Sequence, residues 1–321
     1  MSEALTREPL TGRKEGPVVG VALGSGSARG WAHIGVLREL EAMGIRPHVV
    51  AGTSIGALVG GVYVSGRLDA FTDWVTGLSF RDVLGFLDVS FSGGFVKGEK
   101  LFSFFRQQHE NPSIEDLEAY RFATVATDMQ LGREVWIQEG TILDAARASC
   151  ALPGLFSPVK YRGRWMLDGG LVNPVPVSVC RALGADLVIG VNLNGHLVGR
   201  HVDRRRAREE MAAVASERGT GEQKNLWEKV VEYFADEGES VAGERDDAPG
   251  FLDVIGASVN IMQDRITRSR MAGEPADVNL LPMLENYALM DFHRAGEAIQ
   301  EGERLVRAER ERIEWLYERL G

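Results

Sequence analysis

The chain has 321 residues, 44% of them hydrophobic and 26% charged, which is the composition of an ordinary globular protein with a sizeable core. Its net charge of −10 argues against nucleic acid as a partner. The sequence shows no secretory signal, no apolar stretch long enough to cross a membrane and no Cys/His metal-binding pattern. Its two cysteines favour a reducing compartment. We therefore expect a cytoplasmic protein, with peripheral contact at the inner membrane face left open.

The first predicted elements alternate between strands and helices. After a polar tail at residues 1–16, expected to be disordered, the apolar run at residues 17–23 predicts a buried strand that ends in a glycine-serine loop. A helix follows and stops near Gly44, and a second short strand at residues 48–51 runs into a serine-containing turn and a small apolar helix. This βαβα pattern predicts parallel strands with helices on both faces of a sheet.

The remaining elements continue this pattern less regularly. Further strands are predicted at residues 122–127, 133–137, 165–167, 186–192 and 276–281, and further helices at residues 141–150, 177–183, 251–272 and 292–320. The first two of these strands are expected to form a hairpin around Gly132. The last helix carries an apolar residue at every seventh position, namely Ile299, Val306, Ile313 and Leu320. We expect this stripe to pack on the domain, and a homo-oligomeric contact through the helix is the alternative.

Residues 196–250 differ in composition from the rest of the chain. They are dense in Arg, Glu and Asp and almost free of strand signals, which indicates a charged helical insert that is either solvated surface or a lid or membrane-facing element. The expected organisation is a core at residues 17–195, this insert, and residues 251–321 completing the domain. The predicted fold class is α/β: a mostly parallel central sheet in three α/β/α layers, with a helical insert and a long C-terminal helix.

A Gly-x-Ser-x-Gly turn, with Gly52, Ser54 and Gly56, follows the second predicted strand. In such a turn the serine occupies a tight strand-to-helix corner with its hydroxyl exposed, at the positive end of the next helix. Serine flanked by glycine also caps helices without any chemistry. The position of Ser54 directly after a strand favours the interpretation as a nucleophile.

The loop after the first strand is rich in glycine and serine. The backbone N–H groups of Gly26, Ser27 and Ala28 would converge on an anion at the start of the next helix, as in an oxyanion hole. A dinucleotide-binding loop is the alternative. Its third glycine would fall on Arg29, however, and the glycine stands one position later, at Gly30.

A base is needed to activate a serine hydroxyl, and Asp168 is the candidate. It ends a short predicted strand and is followed by Gly169 and Gly170, which let the backbone approach closely. A turn aspartate without chemistry is the alternative interpretation. Among the six histidines, His293 is the late one placed where a conventional Ser–His–Asp triad would require it.

These motifs resemble those of the bacterial type of patatin-like phospholipase. The matching stretches are residues 25–30, 52–56 and 168–170, supported by residues 32–37, 126–128, 132–134, 148–156 and 171–176. The resemblance covers about residues 17–195 and, more weakly, residues 276–302. It departs from the family pattern at Ser25 and Ser27, where the family has glycine, and serine adopts a positive φ less readily.

The resemblance implies a Ser54–Asp168 dyad without histidine, acting on phospholipid or lysophospholipid esters without metal or organic cofactor. Ser54 would attack the ester carbonyl, Asp168 would carry the proton, and the loop N–H groups would hold the oxyanion. An acyl-serine intermediate would then be hydrolysed by water. The residues expected to support the loops are Arg29, Gly30, Gly52, Gly56, Gly169 and Gly170.

Two other functions compete with the dyad. One is an α/β-hydrolase with a Ser54–Asp168–His293 triad, although its serine turn normally follows more strands than precede Ser54. The other is a regulatory or scaffolding protein that binds partners through the C-terminal helix. A run of phenylalanines has two interpretations, core packing or an apolar wall for an acyl chain or membrane; its members are Phe80, Phe86, Phe91, Phe95, Phe102, Phe104 and Phe105.

Overall fold

The computed structural model describes residues 16–86, 89–90, 95–96, 102, 111–153, 156–196 and 251–321. The predicted tail, apart from Gly16, and the predicted charged insert, apart from His196, lie outside these residues.

An eight-stranded sheet forms the centre of the molecule. Its strands are β1 (Val19–Leu23), β2 (Val49–Thr53), β5 (Arg121–Asp128), β6 (Glu134–Ile137), β7 (Val159–Tyr161), β8 (Arg164–Asp168), β9 (Leu187–Val191) and β10 (Val278–Leu280), while β3 (Val89–Ser90) and β4 (Phe95–Val96) form a separate pair. The order is β10-β9-β1-β2-β5-β8-β7, with β6 also paired to β5. Strands β10, β9, β1, β2 and β5 are parallel, and β6, β7 and β8 are joined antiparallel. The predicted, mostly parallel sheet and the hairpin of β5 and β6 are confirmed.

Helices cover the sheet because its inner strands are apolar on both sides. The helices are α1 (Ala32–Ala42), α2 (Ile55–Val64), α3 (Leu68–Thr76), α4 (Phe80–Phe86), α5 (Ile142–Ser149), α6 (Val177–Ala182), α7 (Phe251–Gly273), α8 (Ala295–Ala308) and α9 (Arg310–Leu320). Along β1, Val21 and Leu23 join a cluster with α1, α2 and α8, while Ala22 joins a second cluster with α6. This alternation gives the three predicted layers. None of the helices described is long and apolar enough to span a membrane.

The C-terminal segment is not the single long helix that the sequence predicted. A short 3-10 turn at Phe292–Arg294 precedes α8, and α8 and α9 are separated at Glu309, whose ψ of 8° leaves the helical range. The break allows α8 to pack on α1 and α9 to contact β9. In the apolar stripe the three residues Ile299, Val306 and Ile313 are buried within the chain, and Leu320 is 48% exposed.

Only part of the phenylalanine run can be assigned. Phe102 is buried in the main core, and the ring of Phe80 packs edge-on against that of His293, with centroids 5.3 Å apart. The other five lie outside the residues whose side chains the structure describes. The prediction of an acyl-chain wall from these residues therefore remains a prediction.

Candidate active site

The register of the sheet brings the carboxyl ends of β2 and β8 together. Thr53, the last residue of β2, is paired with Val125 of β5, and Asp168, the last residue of β8, is paired with the next residue, Ala126. Because β2 runs parallel to β5 and β8 runs antiparallel to it, the two strands end at neighbouring positions of β5. Ser54 and Asp168 are therefore brought together by strand pairing.

Ser54 forms the corner between β2 and α2. Its φ of 57° and ψ of −125° are costly for a residue with a side chain, so the surrounding structure must hold this conformation. Its backbone N–H donates to the hydroxyl of Ser149 at 2.8 Å, and that hydroxyl donates in turn to the Val125 carbonyl at 2.5 Å. Ser149 thus anchors the corner to the sheet.

Close backbone contacts explain the glycines around this corner. A β-carbon on Gly52 would lie 2.4 Å from the carbonyl oxygen of Gly56, and one on Gly56 would lie 2.1 Å from that of Leu23. On the loop, a β-carbon on Gly30 would lie 2.2 Å from the side chain of Ile55. Any side chain at these positions would push α2 away from β1 and the loop.

The hydroxyl of Ser54 donates directly to Oδ2 of Asp168 at 2.5 Å, and both residues are buried. The other carboxyl oxygen, Oδ1, accepts from the Gly170 N–H at 2.7 Å. The aspartate backbone is fixed on both sides: its N–H donates to the Ala151 carbonyl at 2.9 Å, and its carbonyl accepts from the Thr127 hydroxyl at 2.8 Å. One carboxylate oxygen therefore accepts from the Ser54 hydroxyl, and the other is fixed by the Gly170 N–H.

Burial raises the pKa of Asp168 to about 6, against the opposing effect of the hydrogen bonds from Ser54 and Gly170. Such a carboxyl is largely ionised at neutral pH and is a stronger base than an exposed one. Ser54 and Asp168 therefore have the distance and the protonation state for proton transfer from the serine.

The turn after Asp168 requires glycine. At Gly169 a β-carbon would lie 2.1 Å from the Val125 carbonyl oxygen, so glycine is needed for the close approach of this turn to β5.

Among the histidines that the structure describes, none lies between these two side chains. His293, the candidate for a triad, has its ring against Phe80. His33 is fully buried, and its Nε2 donates to the Gly24 carbonyl at 2.8 Å, since a carbonyl can only accept. Burial lowers the pKa of His33 to about 4, so the ring is neutral and supports the loop.

Two loop residues that line the cleft, Gly26 and Ser27, have backbone N–H groups for which no described residue is an acceptor. Within the part of the chain that the structure describes, the N–H groups of Gly26 and Ser27 make no hydrogen bond. The third predicted donor is different, because the N–H of Ala28 donates to the Leu289 carbonyl at 3.3 Å. The loop thus offers two donors, where the sequence suggested three.

The two serines that replace glycine in this loop behave differently. Ser27 has a φ of 53°, in the left-handed region, whereas Ser25 has no positive φ. The hydroxyl of Ser27 donates to the Leu289 carbonyl at 2.5 Å, which offsets part of the backbone cost. At Gly26 a β-carbon would lie 2.7 Å from the side chain of Leu193, so this position requires glycine.

Arg29 ties the loop to distant parts of the chain. Its guanidinium is buried, and Nη2 donates to Oδ1 of Asn194 at 3.1 Å and to Oδ1 of Asn260, on α7, at 3.0 Å. Burial lowers the pKa of Arg29 to about 10, against an opposing effect of Asp291, so the group keeps its charge at neutral pH. This arginine therefore joins the loop, the end of β9 and α7.

A cleft opens beside the dyad. Its apolar lining consists of Ile55, Leu152, Phe156, Val259, Leu289 and Phe292. Burial raises the pKa of the Cys150 thiol, also in the cleft, so this group stays neutral. Such a lining suits an apolar chain placed next to a polar reacting centre. Among the described residues, no group of three His, Cys, Asp or Glu side chains is arranged to hold a metal ion.

Several residues of the site were not singled out from the sequence. Ser149 lies in a stretch that supports the family resemblance, yet no pattern indicated that its side chain would hold the Ser54 backbone. Asn194, Asn260 and Gln263 lie outside every motif, and no sequence signal identifies them.

Comparison with known proteins agrees with these motifs. The profile of the patatin-like phospholipase family matches residues 21–181. An uncharacterized NTE family protein of Mycobacterium tuberculosis (strain ATCC 25618 / H37Rv) is 34% identical over 326 residues, covering 90% of each chain. Lysophospholipase nte1 of Emericella nidulans is 33% identical over 193 residues, which is 57% of this chain and 12% of that one. The solved structure of VipD from Legionella pneumophila has a TM-score of 0.44 at 12% identity, over 92% of this chain and 66% of that one, which is too distant to inform the site.

Proposed function

The chain belongs to the patatin-like phospholipase family, and from this premise we propose that it is a serine acyl hydrolase that cleaves fatty acyl esters of phospholipids or lysophospholipids. The observation that carries the proposal is the 2.5 Å hydrogen bond from the Ser54 hydroxyl to Asp168 in a cleft with apolar walls. The name of the Emericella nidulans relative, lysophospholipase, supports a lipid ester as the substrate.

In the acylation step, Asp168 accepts the Ser54 proton as the serine oxygen attacks the ester carbonyl carbon. The carbonyl oxygen becomes an oxyanion, for which the N–H groups of Gly26 and Ser27 are the donors, and removal of one such donor typically costs about 10²–10³-fold in turnover. The C–O bond to the alcohol then breaks, and the alcohol oxygen keeps the electron pair and receives the proton from Asp168. The acyl group remains on Ser54.

In the deacylation step, water takes the place of the departed alcohol. Asp168 accepts a proton from the water as the water oxygen attacks the acyl carbon, and the same loop donors hold the second oxyanion. When the bond to Ser54 breaks, the serine oxygen takes back the proton and the fatty acid leaves. Each step uses only one base, which is why a dyad suffices.

Labelling by a fluorophosphonate probe tests the nucleophile, and hydrolysis of nitrophenyl esters tests the base. We expect the wild type to be labelled and to hydrolyse nitrophenyl esters, Ser54→Ala to do neither, and Asp168→Asn to lose hydrolysis. His293→Ala should keep activity within about threefold, since its ring packs on Phe80. Full activity of Asp168→Asn together with loss in His293→Ala would replace the dyad by a triad, and an inert wild type would favour a scaffold.

The lipid class is tested by a panel scored as released fatty acid, with Ser54→Ala as the blank. Phospholipids and lysophospholipids of several head groups should release fatty acid in the wild type and not in the blank. Release from simple soluble esters alone would contradict a lipid substrate. Contact with a membrane surface and self-association through the C-terminal helices remain predictions.

A further inference from the structure

A side chain outside the family motifs contributes to the site. Gln263, on α7, lines the cleft and is only 2% exposed, and its amide nitrogen Nε2 lies 2.3 Å from the position that a β-carbon on Gly170 would take. Oδ1 of Asp168 and the hydroxyl oxygen of Ser25 each lie 2.9 Å from the same point. The amide nitrogen is therefore packed beside the carboxylate that carries the proton.

The direction of this amide is set by a chain of hydrogen bonds that starts at Arg29. A guanidinium only donates, so the group of Asn194 that faces Arg29 at 3.1 Å must be the carbonyl oxygen Oδ1. The Asn194 amide nitrogen then points the other way and donates to Oε1 of Gln263 at 2.7 Å. Consequently the Gln263 N–H₂ group, and not its oxygen, faces Asp168.

No described residue accepts a hydrogen bond from these N–H groups. Within the residues that the structure describes, the only hydrogen bond of the Gln263 side chain is the one accepted by its Oε1 from Asn194. Gln263 lines the cleft, and its amide nitrogen is not among the buried polar atoms that lack a partner, so this donor is accessible to a molecule in the cleft. Its place beside Asp168 suggests that the missing acceptor belongs to the reacting molecules.

We propose that Gln263 donates a hydrogen bond to the oxygen that exchanges protons with Asp168: the alcohol oxygen of the ester in acylation and the water oxygen in deacylation. The inference rests on the proposed function. Three substituents of the tetrahedral carbon are already placed, on Ser54, at the loop donors and in the apolar cleft. The fourth must lie within reach of Asp168, where the Gln263 amide is.

The chemical consequence depends on the leaving group. When the C–O bond breaks, an alkoxide of a glyceryl ester develops a full negative charge that a nearby N–H stabilises until Asp168 delivers its proton. A nitrophenolate spreads that charge into its ring and needs no such donor. Deacylation needs the donor for every ester, because the attacking water takes the same position in each case.

The test compares p-nitrophenyl decanoate with glyceryl monodecanoate, which form the same acyl-enzyme. In Gln263→Met we expect the nitrophenol burst to keep its wild-type rate within about threefold. Steady turnover of the nitrophenyl ester and kcat/KM for the glyceryl ester should both fall about 10- to 100-fold. Gln300→Met, the same change on the exposed side of α8, is the matched control and should match the wild type.

Unchanged turnover of both esters would overturn the inference. An equal fall in the burst would also overturn it, because Gln263 would then be a packing residue only. Gln263→Leu, a second variant that removes the amide without adding a charge beside Asp168, should give the same split. This second variant decides whether Gln263 acts as a donor if the Met variant does not fold. Failure of both variants to react with a fluorophosphonate also overturns the proposed donor role of Gln263. A wild type that neither labels nor hydrolyses esters would instead refute the proposed function.

Discussion

Replacing Asp168 by asparagine is expected to remove activity and, at neutral pH, to make the protein more stable. The side chain keeps its shape and can still accept from the Gly170 N–H through its one oxygen, but an N–H₂ group that cannot accept replaces the oxygen facing Ser54. The side chain can no longer take up a proton or carry a charge. Loss of a general base typically costs about 10²–10⁴-fold in rate. The gain in stability follows from the burial of the carboxylate.

The size of that gain follows from the pKa. Burial raises the pKa of Asp168 from 3.8 to about 6, so the folded state binds its proton more tightly than the unfolded state does. The contribution of this carboxyl to stability is therefore complete below about pH 4 and is lost as the pH rises through about 6. This pKa difference lowers the free energy of unfolding of the wild type by about 3 kcal/mol at pH 8. The Asn variant has no charge to bury and does not lose this stability.

Urea unfolding at pH 8 and pH 4 measures the effect, with hydrolysis followed as released fatty acid. We expect Asp168→Asn to be about 3 kcal/mol more stable than the wild type at pH 8 and nearly equal to it at pH 4. The wild-type kcat/KM should rise about tenfold per pH unit up to about pH 6 and then level, because only the ionised carboxylate accepts the serine proton.

Asp73→Asn, the same change on the exposed side of α3, serves as the control and should alter neither stability nor rate. The reasoning fails if Asp168→Asn gains as much stability at pH 4 as at pH 8, since charge burial then is not the cause. It also fails if the variant keeps wild-type hydrolysis.

Two further substitution pairs test the packing and the loop by urea unfolding. Gly302→Ala should cost about 1–3 kcal/mol, because its β-carbon would lie 2.1 Å from the Ala32 carbonyl oxygen, whereas Gly296→Ala in the same helix meets open space and should be neutral or up to about 1 kcal/mol more stable. Equal effects would mean that the contact between α1 and α8 is looser than described. Ser27→Ala should be about 1–2 kcal/mol less stable than Ser27→Gly, because alanine keeps the cost of a φ of 53° and loses the hydroxyl bond to Leu289. The opposite order would show that the loop is not strained at this residue.

Much of the fold could be predicted because the signals are local. The strands β1 and β2 are short apolar runs that end at glycine-rich turns, and they lie where the sequence placed them. The prediction of one continuous C-terminal helix was wrong at Glu309. The residues around it are good helix formers and contain no signal for a break. The break arises from packing, since α8 follows α1 while α9 contacts β9.

The sequence by itself predicted Ser54 and Asp168 as the reacting pair and Gly26, Ser27 and Ala28 as the loop donors, because serine corners, glycine-flanked aspartates and glycine-rich loops are short motifs whose chemistry depends on neighbouring residues. Only the tertiary structure decided that Ser54 and Asp168 meet, since this depends on where β2 and β8 each end along β5. It also decided that Ala28 already has an acceptor and that the Gln263 amide faces Asp168. Strand register and hydrogen-bond direction depend on segments far apart in the chain, and no local pattern records them.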